Sequence, residues 1–296
     1  MVKRRTLLAA SVAGLTLPRS RVDASQTPAS LDFAYPEWFA DPAWISERLN
    51  GEDLALVALT PPEDFAASHI PGAAQTDWPE LEIVETDESS VESWQGDVET
   101  LLINLGIERR ATVVVYDGGT FWAARLWWIL HYLGHVDVRI LNGGLQAWTK
   151  DGHEVETGPA TATPASESYQ GEPSPDVIVT IDEAVAAFDA EDAVFVDARS
   201  AGEFDEGHIP GAVSVPFLAN AVEGEAKFWK SPEELLAMYE STGITPDQRV
   251  IPYCTTGVRS AVTYFTLRQL GFRDVALFTG SYQEWTRDPS RPVERA

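Results

Sequence analysis

The sequence predicts an α/β protein built from two copies of one domain, each a mainly parallel sheet with helices on both faces. The first observation behind this is an internal repeat. Residues 65–73 (FAASHIPGA) return as 204–212 (FDEGHIPGA), 112–117 (TVVVYD) as 249–254 (RVIPYC), and 143–148 (GGLQAW) as 280–285 (GSYQEW), displaced by 137 to 139 residues. Three blocks in one order at one offset mark a duplication, and a period this long makes each copy a whole domain. The second observation is alternation within each copy of short apolar runs with helical patterns. That is the signature of parallel strands joined by crossover helices, and it puts functional sites at the carboxyl ends of strands.

The elements follow in chain order. Lys3, Arg4 and Arg5 precede a short apolar run at 7–17 and a small-residue end at Val22, Asp23 and Ala24, so residues 1–24 read as a twin-arginine-like export signal. The alternative is a basic N-terminus of a cytoplasmic protein. The apolar run is too short for a permanent membrane anchor. The first copy, 29–155, shows strand patterns at 54–59, 112–116 and 138–141 and a helix at 122–133, with the acidic run 80–92 expected to be a solvated loop. Residues 156–175, rich in Pro, Thr, Ala and Ser, form the expected extended linker. The second copy, 176–290, has strand patterns at 193–197, 212–215, 249–253 and 275–278 and helices at 181–188, 231–239 and 260–271.

Composition narrows the class of function. The chain of 296 residues is 44% apolar with ten Trp, enough for a large core. With 46 acidic against 21 basic residues its net charge is −25, which argues against nucleic acid or an anionic membrane as a partner. So acidic a surface suits a high-ionic-strength setting or serves solubility. The single cysteine excludes an intramolecular disulfide, and the five His show no metal-ligand spacing, so no metal is expected.

That cysteine is the candidate nucleophile. Cys254 follows a strand pattern, opens a short polar turn (Thr255, Thr256, Gly257, Val258, Arg259) and precedes a helix, where unpaired amides favour the thiolate. A lone cysteine can also be a small thiol packed under the helix, but its polar neighbours point to a reactive, exposed one. Small and β-branched residues from Thr255 to Val258 can aim successive N–H groups inward as an anion-binding nest, Gly257 supplying the tight bend. The threonine hydroxyls either donate to the anion or cap the helix. Arg259 closes the loop, facing either the anion or an acidic surface. Arg199 follows the strand pattern 193–197 and emerges at the same sheet edge, where it could bind an anionic donor; pairing with Glu203 is the other possibility, and Asp197 would orient it. His69 and His208, each before Ile-Pro-Gly, fit a turn role. The first copy places Asp117 opposite Cys254 and so lacks the thiol nucleophile.

The two HIPGA blocks, the linker, Val196-Asp197-Ala198-Arg199-Ser200 and the loop from Cys254 to Arg259 together resemble the tandem-domain rhodanese family of sulfurtransferases. The resemblance runs from about residue 29 to residue 290. It implies a catalytically inactive first domain and a second whose Cys254 takes a sulfane sulfur from thiosulfate or 3-mercaptopyruvate and passes it to cyanide or a thiol. It also implies a donor-binding role for Arg199, no cofactor, and a monomer. The loop has a small hydroxyl residue at its third position, like the mercaptopyruvate enzymes. The segment after Arg199 lacks their second arginine, and thiosulfate is the preferred expectation. Two further classes stay open: a cysteine phosphatase or arsenate reductase, whose related loops enclose five residues where Cys254 and Arg259 enclose four, and a non-enzymatic sulfur carrier or sensor.

Overall fold

The computed structural model describes residues 33–296 apart from Asn50, Glu52 and Thr161, so the expected export signal at 1–24 lies outside the described residues. The first half runs β1 (Phe39–Ala40), α1 (Pro42–Ser46), β2 (Leu54–Leu59), α2 (Pro62–Ala67), β3 (Ala74–Thr76), α3 (Glu88–Asn104), β4 (Thr112–Tyr116), α4 (Ala123–Tyr132), β5 (Asp137–Leu141) and α5 (Gly144–Lys150). Its five strands form one parallel sheet in the order β1-β5-β4-β2-β3.

The second half repeats this plan with β6 (Ile178–Val179), α6 (Ile181–Ala190), β7 (Val194–Asp197), α7 (Ala201–Glu206), β8 (Val213–Ser214), α8 (Pro232–Ser241), β9 (Val250–Tyr253), α9 (Ser260–Gln269), β10 (Leu277–Phe278) and α10 (Ser281–Trp285). Here β8-β7-β9 and β10-β6 are separate ladders, joined by a bridge between Val250 and Val275. Val250 exchanges backbone hydrogen bonds with this neighbour, Val250 N donating to Asp274 O and Ala276 N to Val250 O. Two residues on, the same edge carries Pro252, which has no N–H to continue the ladder. Pro252 therefore breaks the second sheet where Val115 of β4 keeps the first continuous.

Period-two alternation explains why both faces of each sheet are covered. Val113 and Val115 enter the central core while Val114 and Tyr116 enter an outer cluster; on β9, Val250 faces the centre and Ile251 and Tyr253 face outward. The central core is shared by both halves, with α4 against α9 and the Trp127 and Phe265 rings 4.7 Å apart. A second tie is polar. Thr86, fully buried, donates from its amide and hydroxyl to the Glu284 carboxylate at 2.7 and 2.8 Å and accepts from Ile181 N at 2.7 Å.

The stretch 80–92 differs from the solvated loop expected. Leu81 and Ile83 are buried, and Asp87 caps α3 by accepting from the Ser89 and Ser90 amides. The helix forms because Trp94, Val98 and Leu102, four residues apart, make a buried stripe. Among the described residues, those between 157 and 174 form neither helix nor strand but are pinned to the first half. Ala165 N donates to Ile103 O, Ser174 N to Tyr132 O, and the buried Tyr169 hydroxyl lies 2.9 Å from His135 Nδ1.

Candidate active site

Cys254 directly follows β9 and stands at the base of the turn that leads into α9. Its Sγ accepts from the Gly257 amide at 3.2 Å, its own amide donates to Ser281 Oγ at 3.1 Å, and its carbonyl accepts from Tyr282 N. The residue is only 1% exposed. This corrects the expectation of an exposed thiol: the loop wraps around the sulfur, leaving half-buried Thr255, Thr256 and Arg259 at its mouth and Val258 buried. Gly257 has φ +84°, and a Cβ there would lie 2.6 Å from Thr279 O, so only glycine fits the turn.

The first half shows what this loop geometry is built to hold. Asp117, the counterpart of Cys254, accepts from the amides of Gly119 (2.7 Å), Thr120 (2.9 Å) and Ala123 (2.9 Å). Burial pushes its carboxyl above the ordinary carboxylate value, and these amides oppose the shift. The first half thus carries a carboxyl group of its own in the nest. In the second half the carboxylate is replaced by a single sulfur, and the Gly257 amide turns to it.

Arg259 and Glu203 form a clamp over the loop. The guanidinium donates to both Glu203 oxygens at 2.8 Å and to Thr255 Oγ1 at 2.6 Å. Hydrogen bonds from Arg259 hold the Glu203 carboxyl well below its usual range. Glu203 in turn raises the guanidinium's pKa, to which the nearby Cys254 charge adds. Between the two orientations open to Arg259, the side chain takes the acidic partner while staying within the electrostatic reach of the sulfur. Thr255 spends its hydroxyl on the clamp.

Arg199 is held by Asp197, the residue expected to orient it. Nε and Nη2 are bound to Asp197, the closest contact 2.6 Å, and Nη2 also donates to Gly207 O at 2.7 Å. The side chain lies 4.0 Å over the Tyr282 ring and the residue is 4% exposed. Although burial opposes it, the Asp197 hydrogen bonds raise the guanidinium's pKa. Asp197, at the end of β7, has no exposure and is answered by that cation, while Nη1 makes no hydrogen bond among the described residues. His69 and His208 stack on Phe65 and Phe204 and bond their carbonyls, bracing the turns. Among the described residues no cluster of three or more His, Cys, Asp or Glu could hold a metal ion.

Three contributors carry little sequence signal. Glu203 looked like a partner for Arg199, not Arg259. Ser281 holds the Cys254 amide from a left-handed backbone (φ +59°), where the first half uses Gly144; serine in place of a repeat glycine was the available clue. Arg125, from the first half, donates to Thr279 of the second at 2.9 Å.

A duplicated α/β domain with a thiol at the helix-opening loop of one half and a carboxylate at the matching loop of the other defines a protein class whose two halves share a plan but differ at that position. The chain belongs to the rhodanese family: the rhodanese-like domain matches residues 41–151 and 180–288. It is 32% identical over 265 residues to a thiosulfate sulfurtransferase of Pseudomonas aeruginosa, covering 86% of this chain and 96% of that one. It is 33% identical over 290 residues to the sulfur carrier protein TtuD of Thermus thermophilus, covering 90% and 99%. The crystal structure of a 3-mercaptopyruvate sulfotransferase from Escherichia coli superposes with a TM-score of 0.73 at 26% identity, covering 83% of this chain and 99% of that one.

Proposed function

We propose that this protein is a sulfurtransferase that takes sulfane sulfur from thiosulfate, holds it as a persulfide on Cys254 and delivers it to a thiophilic acceptor. The observation that carries this is the Gly257 amide, 3.2 Å from the only thiol in the chain, in a loop shaped to surround one sulfur. The thiolate attacks the outer sulfur of thiosulfate; an S–S bond forms, the donor's S–S bond breaks, and sulfite leaves with the bonding pair. Cyanide or a thiolate then attacks the outer sulfur of the persulfide, and Cys254 leaves as the thiolate. The Gly257 amide serves the anion at each stage, as an oxyanion hole does. Thr256 and Val258 shape the mouth, and Arg259, held by Glu203, sets its guanidinium at the loop's edge. A short four-residue interval from Cys254 to Arg259 suits sulfur better than a tetrahedral phosphate. Export by the segment 1–24 belongs to the same proposal and is tested by sequencing the mature N-terminus from the native host.

The carrier reading is favoured by one relative, named a sulfur carrier protein. Mass spectrometry after thiosulfate separates the two: a gain of one sulfur, about 32 Da, that cyanide removes over many turnovers marks an enzyme. The same gain without turnover marks a carrier. No gain with thiosulfate or with 3-mercaptopyruvate overturns the proposal.

A further inference from the structure

Arg125 is fully buried on α4 of the silent half and no Asp or Glu lies within ion-pair distance of it among the described residues. A buried cation without a carboxylate is costly unless neighbouring groups answer its charge. Nε and Nη2 donate to Leu81 O at 3.2 and 2.7 Å, and the guanidinium faces the Trp128 and Trp94 rings at 4.9 and 5.7 Å. Nη1 crosses to the other half and donates to Thr279 Oγ1 at 2.9 Å. Thr279 in turn lies against the sulfur loop, since a Cβ on Gly257 would meet its carbonyl at 2.6 Å and its Oγ1 at 3.0 Å. From Gly257 the next contact is Cys254 Sγ. A continuous path therefore runs from a cation in the first half to the thiol in the second.

Resting on the reading of Cys254 as the sulfur-bearing group, we propose that Arg125 is a positioning residue for that site: its buried charge favours the thiolate and persulfide, and its hydrogen bond to Thr279 sets the Gly257 amide. Burial lowers the guanidinium's pKa to about 10, while the charges of Cys254 and Glu82 oppose that shift. Besides Glu82, two other charged groups near the pair are already engaged. Arg259 is clamped by Glu203, and Glu284 of α10 is bound by Thr86. The repeat supports a role across the halves rather than within one: at the 137-residue offset, Arg125 corresponds to Val262 of α9, which carries no charge. The first half, having lost its own thiol, still supplies a cation to its twin's.

The test uses the full chain, whose single cysteine makes labelling unambiguous. The alkylation rate with iodoacetamide is followed against pH, and persulfide formation with thiosulfate by mass spectrometry. R125M, with folding checked by circular dichroism, should move the alkylation profile to higher pH and slow persulfide formation at neutral pH by roughly tenfold or more. R125K should restore the position of the profile. T279V, which keeps the charge, should leave the profile in place and slow persulfide formation several-fold. A folded R125M with the wild-type profile overturns the proposal; if R125M does not fold, wild-type persulfide formation in T279V does so. Failure of the wild type itself to form a persulfide defeats the sulfur reading alone, because alkylation still reports on the thiol.

Discussion

Replacing Gly257 with alanine separates the contribution of the turn from that of ordinary backbone strain, because Gly243 offers a matched control. Both glycines have φ +84°, but a Cβ at Gly243 meets nothing within 4 Å, whereas at Gly257 it falls 2.6 Å from the Thr279 carbonyl. G243A should cost only the left-handed conformation, about 1–2 kcal/mol. G257A carries that cost and must also displace either the loop or Thr279, an overlap worth about 1–3 kcal/mol more. The larger effect is on chemistry. Moving the loop takes the Gly257 amide away from Sγ, and losing one such donor costs about 100- to 1,000-fold in turnover. Urea denaturation gives the stabilities and cyanide-dependent thiocyanate formation the activity. Equal stabilities for the two variants, with G257A turning over at the wild-type rate, would refute the assigned role of the turn.

Three further outcomes are expected. E203Q loses the bidentate clamp on Arg259 and should cost about 0.5–1 kcal/mol at neutral pH, a value kept small because the pair is partly exposed. Since the folded carboxyl is depressed below its usual 4.5, that contribution is present above this pH and fades as pH falls further, so the gap between E203Q and wild type should close in acid denaturation curves. T86V removes one donor to the buried Glu284 and the acceptor for Ile181 N, and should destabilise by roughly 2–4 kcal/mol in urea, with activity intact below the transition. R199M and D197N each break a buried pair and should cost about 3–5 kcal/mol, read by thermal denaturation; a raised KM with unchanged stability would restore Arg199 to donor binding.

Much of the fold was legible because its signals are local and doubled. The repeat blocks, the strand runs at 54–59 and 112–116 and the helix at 181–188 could be read from periodicity, since a strand or helix buried against a core must repeat its apolar residues at the element's own period. Two-residue strands such as β1 and β6 carry too few residues to show a period. None of α3 was read from the sequence, since its acidic first turn, which caps the helix, looks like a solvated loop.

By itself the sequence determined the duplicated α/β plan, the single thiol at a strand-to-helix junction and the glycine that lets its loop turn, since each depends on residues adjacent in the chain. Only the tertiary structure decided how that thiol is surrounded. Glu203 reaches Arg259 across 56 residues, Ser281 reaches Cys254 across 27, and Arg125 reaches Thr279 across 154. The first two form where the second half folds on itself and the third where the two halves share one core, and nothing in the local order of residues announces which distant side chain will arrive.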